Sequence, residues 1–208
     1  MRPQISQELN TPLVVRGGES VVRTEFGTFR MVAYRDGDGL EHLAVAKGAV
    51  RGRKGVLCRV HSECLTGEVF RSRRCDCGPQ LDLALRRIEE AGSGLVVYLR
   101  QEGRGIGLVN KIRAYALQDG GADTVEANHA LGFPGDLRRY DVAAAILRDL
   151  GVRSVVLLTN NPDKVRGLQD ASFLVEARLP HVVPANDDNR RYMEPTRRRM
   201  GHLLSDAS

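Results

Sequence analysis

Leu95-Val96-Val97-Tyr98-Leu99 is an unbroken apolar run, set between Gly92 and the glycine-rich turn Gln101-Glu102-Gly103-Arg104-Gly105-Ile106-Gly107. A run this short, bounded by glycines, reads as a strand buried on both faces. Before it, Pro79 suits a first helical position, and Leu81, Leu85 and Ile88 recur on one face until Gly92. After the turn a helix is expected to about Gln118, with Gly120 near its end. Further out, Asp141 to Leu150 reads as a helix and Ser154-Val155-Val156-Leu157-Leu158 as another buried strand. Thr159-Asn160-Asn161-Pro162-Asp163-Lys164 then leads into one more helix. Strands alternating with helices predict a largely parallel sheet covered by helices.

Toward the N-terminus the pattern changes. Apolar and polar residues alternate loosely from Glu19 to Tyr34, Asp36-Gly37-Asp38-Gly39 is a turn, and His42 to Ala46 is a returning strand. Lys47 to Gly55 is a basic loop, and Leu57 to His61 a strand. The first third is thus expected to be β-rich and antiparallel, and the whole a single α/β domain built on a mixed sheet. Residues 1–18 read as a variable lead-in and 19–204 as the domain.

Of 208 residues, 42% are hydrophobic and 27% charged, the balance of an ordinary globule, and Trp is missing, so the core must be aliphatic. No apolar run approaches the roughly 20 residues that span a bilayer. Met1 to Val15 has no apolar core of a secretory signal. A cytoplasmic location without a membrane partner is expected, where thiols stay reduced and clustered cysteines point to metal. The net charge of +5 fits nucleic acid or a small polyanion such as a nucleoside triphosphate. Basic residues are scattered and not interleaved with aromatics, which favours the small phosphate over nucleic acid.

The chemistry gathers in Arg59-Val60-His61-Ser62-Glu63-Cys64 and Arg74-Cys75-Asp76-Cys77-Gly78. A Cys-x-Cys pair cannot close a relaxed disulfide on itself. Cys64, Cys75 and Cys77 can instead grip one metal ion, and three protein ligands leave a tetrahedral zinc position open, as in catalytic sites. A closed structural site with His61 as fourth ligand is the alternative. Cys58, within Val56-Leu57-Cys58, reads as strand core.

Two loops fall where ligands gather in such sheets, at strand carboxyl ends. Glu102-Gly103-Arg104-Gly105 matches neither dinucleotide nor Walker spacing, yet its glycines allow close approach and Arg104 offers a fork for phosphate. Thr159 to Lys164 brings a hydroxyl, two amides and an ammonium to a helix start that favours anions, with Asn161 a good N-cap before Pro162. Between them, Thr124 to Tyr140 reads as a long polar connection carrying His129, Asp136 and Arg138.

Together these segments resemble GTP cyclohydrolase II across about residues 55–203. The densest matches are Arg59 to Glu68, Arg74 to Gly78, Arg100 to Arg104, Asn110 to Asp119, Thr124 to Gly132, Leu158 to Pro162 and Met200-Gly201-His202. The resemblance implies conversion of GTP to a 2,5-diamino-6-ribosylaminopyrimidinone 5′-phosphate with loss of formate and pyrophosphate, the opening step of riboflavin synthesis. It implies Zn2+ on Cys64, Cys75 and Cys77, Mg2+ with the triphosphate, and a homodimer. It further implies that Arg59, Val60, His61, Ser62, Glu63 and Gln80 bind GTP. Glu102, Gly103, Arg104, Thr124, Thr159 and Lys164 complete that set. The family pattern makes Asp136 a proton acceptor and Arg138 a nucleophile toward the α-phosphorus, and places Tyr115 near the purine. A guanidinium stays protonated to above about pH 12, so electrostatic stabilisation is chemically easier for Arg138. Arg139, Leu99 and Arg197 depart from the common pattern. They raise the alternative of a paralogue that serves a secondary pathway or stops at a formylated intermediate. A separate alternative is a basic zinc protein that binds nucleotide or nucleic acid without turnover. Nothing in the length leaves room for a fused dihydroxybutanone-phosphate synthase domain, so a monofunctional chain is expected.

Overall fold

The computed structural model describes residues 12–184. Seven strands form one sheet: β1 (Val14–Thr24), β2 (Gly27–Asp36), β3 (Glu41–Lys47), β4 (Val56–Ser62), β5 (Gly94–Leu99), β6 (Val155–Leu158) and β7 (Val175–Leu179). Their spatial order is β1-β2-β3-β5-β4-β6-β7. The first three strands form an antiparallel meander that continues antiparallel onto β5. From β5 through β4 and β6 to β7 every pairing is parallel. The mixed α/β sheet is therefore as the sequence predicts. Strand β4, although it falls in the β-rich first third, pairs in the parallel half, between β5 and β6.

The helices are α1 (Leu65–Glu68), α2 (Cys77–Glu90), α3 (Gly107–Asp119), α4 (Thr124–Ala130), α5 (Asp141–Asp149) and α6 (Pro162–Asp170). Alternation along β5 sends Val96 to one face and Leu95, Val97 and Leu99 to the other. Val96 packs with Phe29, Val45 and the Ala84 and Ile88 stripe of α2. The opposite face meets Ile146 and Leu147 of α5 and Leu168 of α6. Each such large aliphatic, fully buried, contributes about 1.5–3 kcal/mol. Cys58 is part of this core, where burial pushes its thiol up to about 12.

Three features differ from the sequence reading. Strand β1 begins at Val14, inside the expected lead-in, and a register shift between Arg16 and Glu19 takes up Gly17 and Gly18. The polar connection after Thr124 starts as α4. Strand β7 has no counterpart among the expected elements. Residues 1–11 and 185–208, including Arg197 and the Met200-Gly201-His202 match, lie outside the described residues.

A three-cysteine cleft at the carboxyl edge of the parallel strands

Strands β4, β5 and β6 run parallel, so their carboxyl ends release Glu63-Cys64, Arg100 to Arg104 and Thr159 to Lys164 at one edge of the sheet. Cys64 immediately precedes α1, while Asp76 immediately precedes α2 and Cys77 opens it. The sulfur atoms of Cys64, Cys75 and Cys77 lie within 4.8 Å of one another, with Cys64 and Cys75 3.6 Å apart. Gly67 lies under them: a Cβ there would stand 2.8 Å from Cys75 Sγ and 3.2 Å from Cys64 Sγ. Cys64 takes hydrogen bonds from Cys75, Cys77 and Lys111 and is held far below the ordinary thiol range, and the hydrogen bond that Cys75 gives to Cys64 pushes the Cys75 thiol up to about 11. A dication would replace the shared protons between these sulfurs. Three convergent thiols without an acidic or imidazole neighbour in the group suit a soft ion such as zinc.

His61 is not the fourth ligand of this group. Its Nε2 lies 2.8 Å from Glu68 Oε1 and its ring stacks on Tyr98. Glu68 also accepts from the Cys64 N–H and the Tyr98 hydroxyl, so His61 supports the cysteine turn from behind. Burial pushes Glu68 up to about 7 and His61 well below its usual value.

Around the thiols runs a cleft lined by Arg59, Ser62, Glu63, Gln80, Glu102 and Gly103, and by Arg104, Tyr115, Arg138, Thr159 and Lys164. Most of the expected site residues thus share one space. Val60 is in the core and offers only its carbonyl, which accepts from Lys164 Nζ at 2.8 Å. Asp136 sits behind Arg138, and the side chain of Thr124 lies outside the described residues. Asp76, Gln101 and Lys111 line the same space without having been singled out by sequence.

Charge is distributed unevenly there. Arg59 and Lys164 are each 5% exposed, and among the described residues neither pairs with a carboxylate. Arg59 donates to the Leu158 carbonyl at 2.9 Å and to Gln80 Oε1 at 2.5 Å, and Gln80 in turn donates to Asp76. Burial pulls Arg59 down to about 10, and burial with the neighbouring Arg59 and Arg138 charges pulls Lys164 well down. An anion in the cleft relieves both. Arg138 differs: its Nε donates to Asp136 Oδ1 at 2.9 Å, and its Nη2 reaches Oδ2 of the same carboxylate. Burial opposes both charges, yet the pair holds Asp136 below the carboxylate range and Arg138 above its own.

The loop after β5 carries strain. Gly103 and Arg104 both have φ of 61°, the left-handed region, which costs about 1–2 kcal/mol for a residue with a Cβ. The Arg104 carbonyl accepts from the Leu137 N–H at 3.0 Å. The α6 loop is ordered by its own polar groups: Asn161 Oδ1 caps Asp163 N–H, and the Asn161 N–H donates to Thr159 Oγ1. Asn160 exchanges two hydrogen bonds with the His181 backbone.

Fold and site together define a mixed-sheet α/β protein with a cation-lined cleft around three thiols able to hold a metal ion. The family profile of GTP cyclohydrolase II matches residues 16–180, and the chain belongs to that family. Riboflavin biosynthesis protein RibBA of Bacillus cereus is 54% identical over 194 residues, and its namesake in Bacillus velezensis 54% over 196. Each alignment covers 93% of this chain and 49% of the relative, so the chain spans about half the length of the curated relatives it matches. A crystal structure of RibBX, a two-domain 3,4-dihydroxy-2-butanone 4-phosphate synthase from A. baumannii, aligns with a TM-score of 0.44 at 24% identity. It covers 82% of this chain and 41% of that one.

Proposed function

We propose that this chain is a zinc-dependent GTP cyclohydrolase II. It hydrolyses GTP to 2,5-diamino-6-(5-phospho-ribosylamino)pyrimidin-4(3H)-one, formate and pyrophosphate, at the entry to riboflavin biosynthesis. One observation carries the reading: two buried cations without carboxylate partners among the described residues, Arg59 and Lys164, face the same cleft as three convergent thiols. Burying a charge unpaired costs several kcal/mol, so such cations fit a site completed by an anionic ligand.

Cys64, Cys75 and Cys77 would hold Zn2+, which when bound supplies Lewis-acid hydrolytic chemistry at the purine C8. Arg59, Lys164 and Arg104 take the triphosphate, which arrives with Mg2+, and Thr159 sits beside them at the α6 N-terminus. Arg138 is a fixed positive charge for the α-phosphate, because its bidentate hold on Asp136 keeps the guanidinium protonated and aimed. Asp136 orients that guanidinium and is the nearby proton acceptor when the pair opens. Tyr115, under the Arg74 guanidinium at 4.3 Å, walls the purine side. Gln80, Glu63, Ser62, Glu102 and Gly103 shape the rest of the pocket, with His61 and Val60 in supporting places, and Thr124 is a further GTP contact on the family pattern alone.

The exposed Leu108, Val109 and Ile112 of α3 suit burial against a second copy, as a homodimer requires. No helix among the described residues is long and apolar enough to cross a membrane, and a reducing cytoplasm suits four free thiols. Incubation of zinc-loaded protein with GTP and Mg2+ tests the reading, with formate and pyrophosphate assayed separately. Equal yields support it. Pyrophosphate without formate favours the paralogue that stops at a formylated intermediate, and absence of both overturns the assignment.

A further inference from the structure

Lys111 projects from α3 into the base of the cleft and is 7% exposed. Its Nζ donates to Glu102 Oε1 at 2.8 Å and to Cys64 Sγ at 3.0 Å. Glu102 is itself fixed, since Oε2 accepts from the Leu65 N–H and Oε1 from the Gly103 N–H, both at 2.7 Å. A lysine on a helix ordinarily extends into water; here the ammonium is spent on a carboxylate and one of the three sulfurs. A charge-assisted donor on a sulfur drains electron density that the sulfur would otherwise give to a metal.

We infer that Lys111 is a positioning residue for the metal centre: aimed by Glu102, its ammonium weakens Cys64 as a donor and so keeps a thiolate-bound dication electron-poor. Left alone, three thiolates would donate fully and blunt the acidity of the ion they hold. Lys111 corrects this at one corner, Cys64, where the donor to sulfur carries a full positive charge. The role rests on the metal reading proposed above. It also explains why Glu102, with both oxygens committed inside the protein, stands in the cleft wall at all.

Cobalt(II) chloride added to the metal-free protein gives a readout independent of turnover, the sulfur-to-cobalt charge-transfer absorption. Lys111→Met raises the Cys64 lone pairs in energy, so that band moves to longer wavelength, while Lys111→Arg returns it toward the wild-type position. Zinc is held by Lys111→Met on the order of 10- to 100-fold more tightly against a competing chelator. Lys111→Gln, which keeps an N–H donor without the charge, gives an intermediate band and carries the same test if the Met variant does not fold. A band and a zinc affinity unchanged in the folded variants overturn the role of Lys111 and leave the metal reading intact. A wild-type protein that develops no such band overturns both.

Discussion

Gln101 and Arg139 exchange a pair of hydrogen bonds: the Arg139 N–H donates to Gln101 Oε1 at 2.7 Å, and Gln101 Nε2 donates to the Arg139 carbonyl at 2.8 Å. The amide thereby acts as a short strand partner, tying the Glu102 turn to the segment that bears Asp136 and Arg138. Only the backbone of residue 139 takes part. The Arg139 side chain reaches outward to Asp141 and Asp38, which explains how arginine is accommodated beside Arg138. Leu99, the other departure in the described chain, is core. Gln101→Glu keeps one bond and sets a carboxylate against a carbonyl, at a cost of about 1–3 kcal/mol. Its kcat for formate release should fall roughly tenfold or more through misplacement of the two loops. Arg139→Ala should stay close to wild type, because exposed pairs contribute about 0–1 kcal/mol. Equal losses in the two variants would contradict the clip.

Lys164→Met separates stability from binding. Removing a buried ammonium that has no carboxylate partner among the described residues should raise the Tm of the ligand-free protein, whereas GTP affinity should drop about 10- to 100-fold, the value of a hydrogen bond to a charged group. Thermal melts with and without GTP make the comparison, and a variant less stable than wild type in both would count against an anion site.

Gly67→Ala tests the cradle under the thiols. Alanine suits a helix better than glycine by about 1 kcal/mol, so the backbone itself should tolerate the change. The added methyl would collide with Cys75 Sγ, and zinc content should collapse while far-ultraviolet circular dichroism persists. Full zinc occupancy in this variant would show that the sulfurs do not close over Gly67.

Acid should loosen the fold through His181. Its Nε2 donates to the Gln80 carbonyl at 2.8 Å, its buried Nδ1 has no partner among the described residues, and burial lowers its pKa to about 3. The unfolded chain takes up this proton near pH 6.5, the folded chain only near 3. Stability from His181 is therefore complete above about pH 7 and falls as pH drops through that window, by about 2 kcal/mol at pH 5. His61, also pulled down by burial, acts in the same direction. Denaturant melts at pH 7 and 5 should show a smaller loss for His181→Gln than for wild type; an identical loss assigns the acid sensitivity elsewhere.

What sequence could reveal followed how local the cause was. Asn161 before Pro162 is a neighbour effect, and the cap is found as expected. The buried β5 and β6 runs announced the parallel half in the same way. Strand β7 stayed hidden because Val175-Glu176-Ala177-Arg178-Leu179 lies at an exposed sheet edge with charges interleaved, and Arg16-Gly17-Gly18 masked the start of β1 behind a bulge. Lys111 was illegible for another reason. Its meaning lies in Cys64, 47 positions away, and in Glu102, nine away, which only folding brings together. Spacing singled out three cysteines; the commitment of His61 to Glu68, and not to a metal, needed the coordinates.

The most direct test returns zinc stepwise to chelated protein and follows formate release from GTP against bound metal. The account predicts no formate without zinc, a linear rise, and a plateau at one zinc per chain. Full formate release from zinc-free protein, or a plateau only after a second equivalent, would contradict it.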